Sequence, residues 1–335
     1  MTKVEAGPKQ GRVMAYIQKN RDSGGYFAKR AMLNTFTIVT KVVLLFGLCF
    51  TILQPLLNQF SLSVMSTGDL FDASVISIPR NFTWGNYRLA ASVMDYWSSL
   101  FSSAGIALAV AVLQVAACTL VAYGFARFQF PFKTFWFMCV ILTIIVPPQT
   151  IMAPMFLNFR FFDVFGIFSM TAGAPLNLLD NLNGYLLLVA TGMGLRSGLY
   201  VFMLRQYFRT VPKELEEAAY VDGCGKMRTF AQIMLPDAKP ILASCFLFAF
   251  VWQWTDGFYS TLFLRGQGVL SVRLSGLADA YREYFWSIYG VNPSEALMMQ
   301  VIATGLLMGV APLIVLYLFT QKLFVESIGQ SGIKM

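Results

Sequence analysis

A chain of 335 residues that is 57% hydrophobic and only 13% charged carries about half the roughly 25% charge of a soluble domain, and its mean hydropathy of +0.61 excludes an ordinary globular protein. The net charge is +8 and there is no histidine, which removes the commonest metal ligand and general base. The five cysteines form no Cys-x-x-Cys pair, so neither a disulfide framework nor a structural zinc site is expected.

In chain order, a basic leader over residues 1–35 carries seven Lys and Arg residues. Apolar stretches follow at 42–57 (extended backward through 35–40 across Lys41), 100–126, 134–157, 185–204, 241–264 and 296–319. Most reach the ~20 residues that cross a hydrocarbon core. This predicts an all-α integral membrane protein with six transmembrane helices over 36–325 and a short tail, 326–335. The first span lies too far along the chain, and is too long, for a cleaved signal peptide. With the amino terminus inside, seventeen of the 25 Lys and Arg residues fall on the inner side and six on the outer, the latter being Arg80, Arg88, Arg160, Arg265, Arg273 and Arg282. The positive-inside rule then puts both termini in the cytoplasm. That asymmetry accounts for the basic balance, so no nucleic-acid partner is expected.

Several chemistries lack their residues. No Gly-x4-Gly-Lys-Ser/Thr run occurs, so the chain does not cradle a nucleotide phosphate in a P-loop. Ion-coupled carriers rely on carboxylates within the membrane, and the spans offer Asp256 alone. No Ser/His/Asp set or His-Glu-x-x-His run is present, so no enzymatic activity and no bound cofactor are expected. A driver outside this chain must supply the energy.

The inner loop at 210–236 is the place for that driver to act. Pro212 suits a helix start, and Glu214, Glu216 and Glu217 complement a helix N-terminus. Leu215, Ala218, Ala219 and Val221 predict a weakly apolar face. Gly223 and Gly225 predict a left-handed stop. A second short helix over 226–234 is expected to break before Pro236.

Glu217-Ala218-Ala219, three residues, Gly223, nine residues, then Ile233-x-Leu235-Pro236 resembles the EAA signature of permease subunits in binding-protein-dependent ABC importers. The resemblance continues outside the loop. Pro79-x-x-Phe-Thr-x-x-Asn86-Tyr87, Ala122-Tyr123-x-Phe-Ala126-Arg127 and Val146-Pro147-Pro148 are similar to segments of carbohydrate permeases of the maltose-permease type. The likeness covers about 36–335, with Trp254-Thr255-Asp256 standing where that branch commonly has Trp-Asn-acidic.

The resemblance implies a type I ABC importer transmembrane fold in a bacterial plasma membrane. It implies a coupling helix at Glu217, Ala218, Ala219, Asp222 and Gly223, with Ile233, Leu235 and Pro236 returning the chain to the membrane. The expected partners are a second, homologous permease subunit, two cytoplasmic ATPase subunits that hold ATP and Mg, and an extracytoplasmic solute-binding protein. Residues 58–99 and 265–295 are the natural rim for that protein. The expected cargo is a saccharide, with glycerol phosphate, peptide, a secondary transporter or a scaffold as alternatives.

For the path itself, Arg196 near the middle of the fourth span is costly in lipid and should face protein or water. It is either satisfied by carbonyls or by a neighbouring helix, or it is a wall of the path suited to an acidic sugar. Gly192, Gly194 and Gly198 beside it permit close helix approach. Trp252, Gln253, Trp254, Asp256 and Tyr259 offer aromatic planes and amides for a sugar, or an interfacial aromatic belt. Gln114 and Gln149 line the same path or bond between helices.

Overall fold

The computed structural model describes residues 21–22 and 26–332. Among them it is helical, with isolated bridges at Met65–Phe82 and Phe162–Leu176 in place of any sheet. The chain forms two compact units, dividing between Ser61 and Leu62. Most of the basic leader, 1–20 and 23–25, lies outside the described residues, as do 333–335 of the tail.

Helix α1 (Tyr26–Val64) begins inside the segment assigned to the leader. From Met32 it is long and apolar enough to cross a membrane. Val42, Leu44, Phe46 and Leu48 are all exposed. Val43 and Leu45 between them are exposed too, and consecutive residues step about 100° around a helix, so the exposed apolar surface covers every face, the pattern of a span.

The second unit opens with a rim. It contains α2 (Thr67–Leu70) and α3 (Gly85–Val93). The Asp69 carboxylate accepts the Asn81 backbone N–H at 2.6 Å and the Asn81 amide at 2.9 Å. These bonds, the backbone one foremost, hold its pKa below the ordinary carboxylate value. Asn86 donates to the Ser63 and Met65 carbonyls, both at 2.9 Å.

Helix α4 (Tyr96–Arg127) is the axis of this unit. It contributes Tyr123 and Cys118 to one core cluster, Ile106 and Val110 to a second, and Ala107 to a third. No proline interrupts it, and Phe128 leaves in extended conformation ahead of Pro131. Outward-facing Leu108, Val112 and Leu120 stay exposed, a surface that only lipid or another chain would cover.

The stretch expected as the third span is not one rod. Helix α5 (Lys133–Ile145) meets a 3-10 turn at Pro148–Ile151 and then α6 (Met152–Arg160) at 104°. Pro147 and Pro148 remove two backbone donors and force the bend. Helix α7 (Ile167–Ala172) follows.

The stretch expected as the fourth span departs from expectation. The continuous helix expected over 185–204 is two helices, α8 (Leu182–Ala190) and α9 (Ser197–Thr210). Between them Gly192 and Arg196 take left-handed backbone, φ +76° and +59°. The glycines do allow close packing. A Cβ on Gly198 would overlap the Thr143 hydroxyl and lie 2.9 Å from the Val140 carbonyl. Gly198→Ala is therefore expected to pry α9 from α5 and cost about 1–3 kcal/mol, read as a lower thermal midpoint in detergent. An unchanged midpoint would mean the two helices separate freely.

The inner loop holds α10 (Glu214–Val221) and α11 (Lys226–Thr229), then a π-turn at Phe230–Met234 and a last turn at Leu235–Asp237. The helical path therefore runs through Pro236 and stops at Ala238. The wider π-turn at Phe230–Met234 directly precedes Pro236, and the path ends two residues after it. From there α12 (Lys239–Thr255) departs at 77°.

Helix α13 (Phe258–Phe263) completes the fifth stretch. Helices α14 (Leu270–Ser275) and α15 (Leu277–Tyr289) fill the second rim segment. Helix α16 (Glu295–Gly332) is the last, and Gln300 on it donates to the Met65 carbonyl at 2.8 Å. Among the described residues, three helices are long and apolar enough to cross a membrane, or up to five spans if each bent pair counts as one.

Candidate functional site

In the inner loop, Glu217, Ala218, Asp222 and Gly223 are exposed. Of the expected apolar face, Ala219 is buried, but Ala218 is exposed and Leu215 and Val221 are 46% and 88% exposed. The buried face is Ala219 with the unexpected Glu216, one turn apart. The reason lies beneath it. Arg127, at the end of α4, places Nε 3.2 Å from Glu216 Oε1, with both side chains less than a tenth exposed. The Tyr123 hydroxyl donates to the same oxygen at 3.0 Å. A buried acid is tolerated when it is paired and hydrogen-bonded in this way. Sequence reasoning had stopped at the neighbouring Glu217. The available signal was Tyr123 and Arg127 at i and i+4, one face of a helix end, opposite a glutamate-rich loop.

Only Gly223 makes the left-handed stop, at φ +81°. Gly225 is extended at φ −75°. The Gly223 N–H bonds the Tyr220 carbonyl at 3.1 Å, closing α10. Beyond the corner, Ile233 is half-buried while Leu235 and Pro236 are exposed. Tyr207 on α9 donates to the Asp237 carbonyl at 2.7 Å, so the two ends of the loop are clasped.

A second feature is a cavity of about 520 Å³ whose wall includes Thr143, Gln149, Arg196, Trp252 and Asp256. Three breaks build it: the Pro147–Pro148 bend, the α8–α9 interruption and the α12–α13 junction. Arg196 is exposed and lies over the Trp252 ring at 4.3 Å. Trp252 belongs to α12, so the guanidinium is held by a neighbouring helix, as one of the two expected readings has it, while also facing the cavity. Asp256 caps α13 by accepting the Ser260 N–H at 2.8 Å and the Phe258 N–H at 3.2 Å.

The remaining path candidates sit elsewhere. Gln114 donates to the Leu195 carbonyl at 2.6 Å and the Ser197 hydroxyl at 2.9 Å, pinning the α8–α9 break from α4. Gln253 accepts from the Tyr185 hydroxyl. Trp254 and Tyr259 are buried, at 7% and 3% exposure, so neither forms an interfacial belt. The Trp254 indole N–H donates to the Gly309 carbonyl at 3.1 Å. Desolvating an indole or an amide without such a partner is costly, which explains why these groups pack inward in pairs.

Residues 114–329 match the family described as binding-protein-dependent transport system inner membrane component. The chain belongs to this family. It is thus a membrane permease of the ABC importer class, located in the inner membrane. The permease is 27% identical over 300 residues to the sn-glycerol-3-phosphate transport system permease protein UgpE of Pectobacterium atrosepticum, covering 88% of this chain and 96% of that one. It is 24% identical to the arabinooligosaccharides transport system permease protein AraQ of Halalkalibacterium halodurans, covering 86% and 93%. Its fold is shared with a bacterial ABC transporter solved as an importer of the acidic polysaccharide alginate, with a TM-score of 0.65, 21% identity, and 85% and 95% of the two chains covered.

Proposed function

We propose that this permease is one transmembrane half of an ATP-driven importer that moves a saccharide handed over by an extracytoplasmic binding protein. One observation carries the reading. Helix α10 turns Glu217, Ala218, Asp222 and Gly223 outward while Glu216 and Ala219 fix its other face to the membrane helices. A short helix held on one side and bare on the other is suited to seat in a cleft of a cytoplasmic ATPase subunit, with Ile233, Leu235 and Pro236 leading back to α12. ATP and Mg belong to two such subunits. Their closure pushes α10, and the helices swing between inward- and outward-facing states by rigid-body motion.

Six spans satisfy this arrangement: α1, α4 and α16 as continuous helices, α5–α6 as a bent pair, α8–α9 as an interrupted one, and α12 with α13 as the sixth. Both termini are then cytoplasmic. A second homologous permease supplies the other half of the path, and the segments around α3 and α15 form the rim for the binding protein.

The cavity at Arg196, Trp252, Gln149 and Asp256 is read as part of that path. An aromatic face with a stacked guanidinium and an amide suits a sugar ring bearing an acidic group. The UgpE relatives add a glycerol phosphate, whose phosphate makes the same demand on Arg196. The test is ATP-dependent uptake by proteoliposomes holding the permease pair, the ATPase subunits and the binding protein. Neutral saccharides, uronate-containing saccharides and glycerol phosphate are supplied in turn. Saturable uptake of a saccharide supports the reading. Uptake of glycerol phosphate alone replaces the cargo, and ATP-independent uptake defeats the mechanism.

A further inference from the structure

We propose that Arg127, Tyr123 and Glu216 form a clamp that makes α10 and the inner end of α4 a single rigid body, and that these three are positioning residues for energy coupling. The inference rests on α10 being the ATPase-docking element, and goes beyond it by naming where the push enters the membrane helices.

The geometry is concentrated on one turn of α4. Arg127 brackets the start of α10, with Nη2 donating to the Val211 carbonyl at 2.7 Å and Nε 3.2 Å from Glu216 Oε1. Tyr123, one turn back, donates to Glu216 at 3.0 Å. Its ring meets Phe208 at the end of α9 at 5.6 Å and Phe230, after the glycine corner, at 4.6 Å. Lys226 adds a contact over the Phe128 ring at 5.5 Å. The loop thus touches the α4 end before α10, within α10 and after the Gly223 corner.

Arg127 holds the loop by one directed hydrogen bond to the Val211 carbonyl and one buried ion pair to Glu216, and the Tyr123 hydroxyl fixes that carboxylate by a second directed bond, so the three contacts together resist sliding and rotation better than a single point contact. Movement of α10 is therefore carried into α4. Because α4 contributes to all three core clusters, displacement at its inner end reaches the cavity through Gln114, which holds the Leu195 carbonyl beside Arg196. Contact of this kind transmits motion through packed, hydrogen-bonded elements.

The test measures solute imported per ATP hydrolysed in reconstituted, fully assembled complexes of Glu216→Ala, Glu216→Asp and Tyr123→Phe, with Glu217→Lys alongside. In Glu216→Ala the ATPase subunits still co-purify and still hydrolyse ATP, while solute per ATP falls about tenfold or more, as expected when a buried charge pair is broken. Glu216→Asp recovers part of the ratio. Tyr123→Phe, which keeps the ring and removes one hydrogen bond, lowers it about two- to fivefold. Should Glu216→Ala fail to assemble, the Tyr123→Phe ratio decides, and a wild-type ratio there overturns the clamp. A wild-type ratio in assembled Glu216→Ala overturns it equally. Loss of uptake strictly in proportion to loss of assembled complex in every variant makes the trio a folding contact only, and also overturns it. Failure of the docking reading is separate: Glu217→Lys would then leave ATPase co-purification and uptake unchanged.

Discussion

Gly223→Pro is expected to reduce ATP-driven uptake to background while the helices still insert in the membrane. The residue sits at φ +81°, and proline is confined near −65°. Proline also removes the N–H that bonds the Tyr220 carbonyl at 3.1 Å. The end of α10 then unwinds or turns elsewhere, and the exposed set Glu217, Ala218 and Asp222 loses its relation to Ile233–Pro236. Gly223→Ala separates strain from shape, since a Cβ there meets nothing within 4 Å. It costs about 1–2 kcal/mol for the left-handed backbone and leaves uptake measurable. Glu217→Lys tests charge without touching the backbone. Its effect on stability is small, about 0.3–1 kcal/mol from the helix dipole, so loss of ATPase-subunit co-purification would report docking. Normal uptake in both Gly223→Pro and Glu217→Lys would remove α10 from the mechanism.

Arg196→Gln carries the second large effect, on selectivity. The guanidinium lies on the cavity wall, stacked on Trp252 at 4.3 Å. A charge-assisted hydrogen bond to a carboxylate or phosphate is worth about 1.5–3 kcal/mol, which is roughly 10- to 100-fold in kcat/KM at about 1.4 kcal/mol per tenfold. Transport of acidic solutes should fall by that factor while neutral saccharides change by about twofold or less. Trp252→Ala removes the plane under both classes and should lower both. Equal loss of acidic and neutral uptake in Arg196→Gln, together with lower protein abundance, would make Arg196 a structural residue.

The parts of this fold that were legible in the sequence are those fixed by nearby residues. The long apolar runs in α1, α4 and α16 stand out because hydropathy is additive along a helix. The α5–α6 bend is legible because Pro147 and Pro148 lack donors, and α10 because Pro212 with Glu214, Glu216 and Glu217 marks its start and Gly223 its stop. The α8–α9 break was not legible. Gly192, Gly194 and Gly198 fit close packing equally well, and the bond that pins the break comes from Gln114, 81 positions away. The inward face of α10 was misread for the same reason. Glu216 is buried only because Arg127 and Tyr123 lie under it, and Tyr123 is 93 positions away in the chain. Trp254 and Tyr259 look like interfacial aromatics until their partners are in place, with Gly309 receiving the indole N–H. In each case a long-range polar partner decided between two locally equivalent readings.

The central claim is that ATP hydrolysed outside this chain drives solute through it by way of α10. The most direct measurement is solute accumulation in proteoliposomes containing the permease pair and ATPase subunits, with ATP inside or withheld and loaded binding protein at the opposite face. The account predicts accumulation against a gradient only when ATP is present, and its loss in Gly223→Pro. Accumulation that proceeds without ATP, or that survives Gly223→Pro at the wild-type rate, would contradict it.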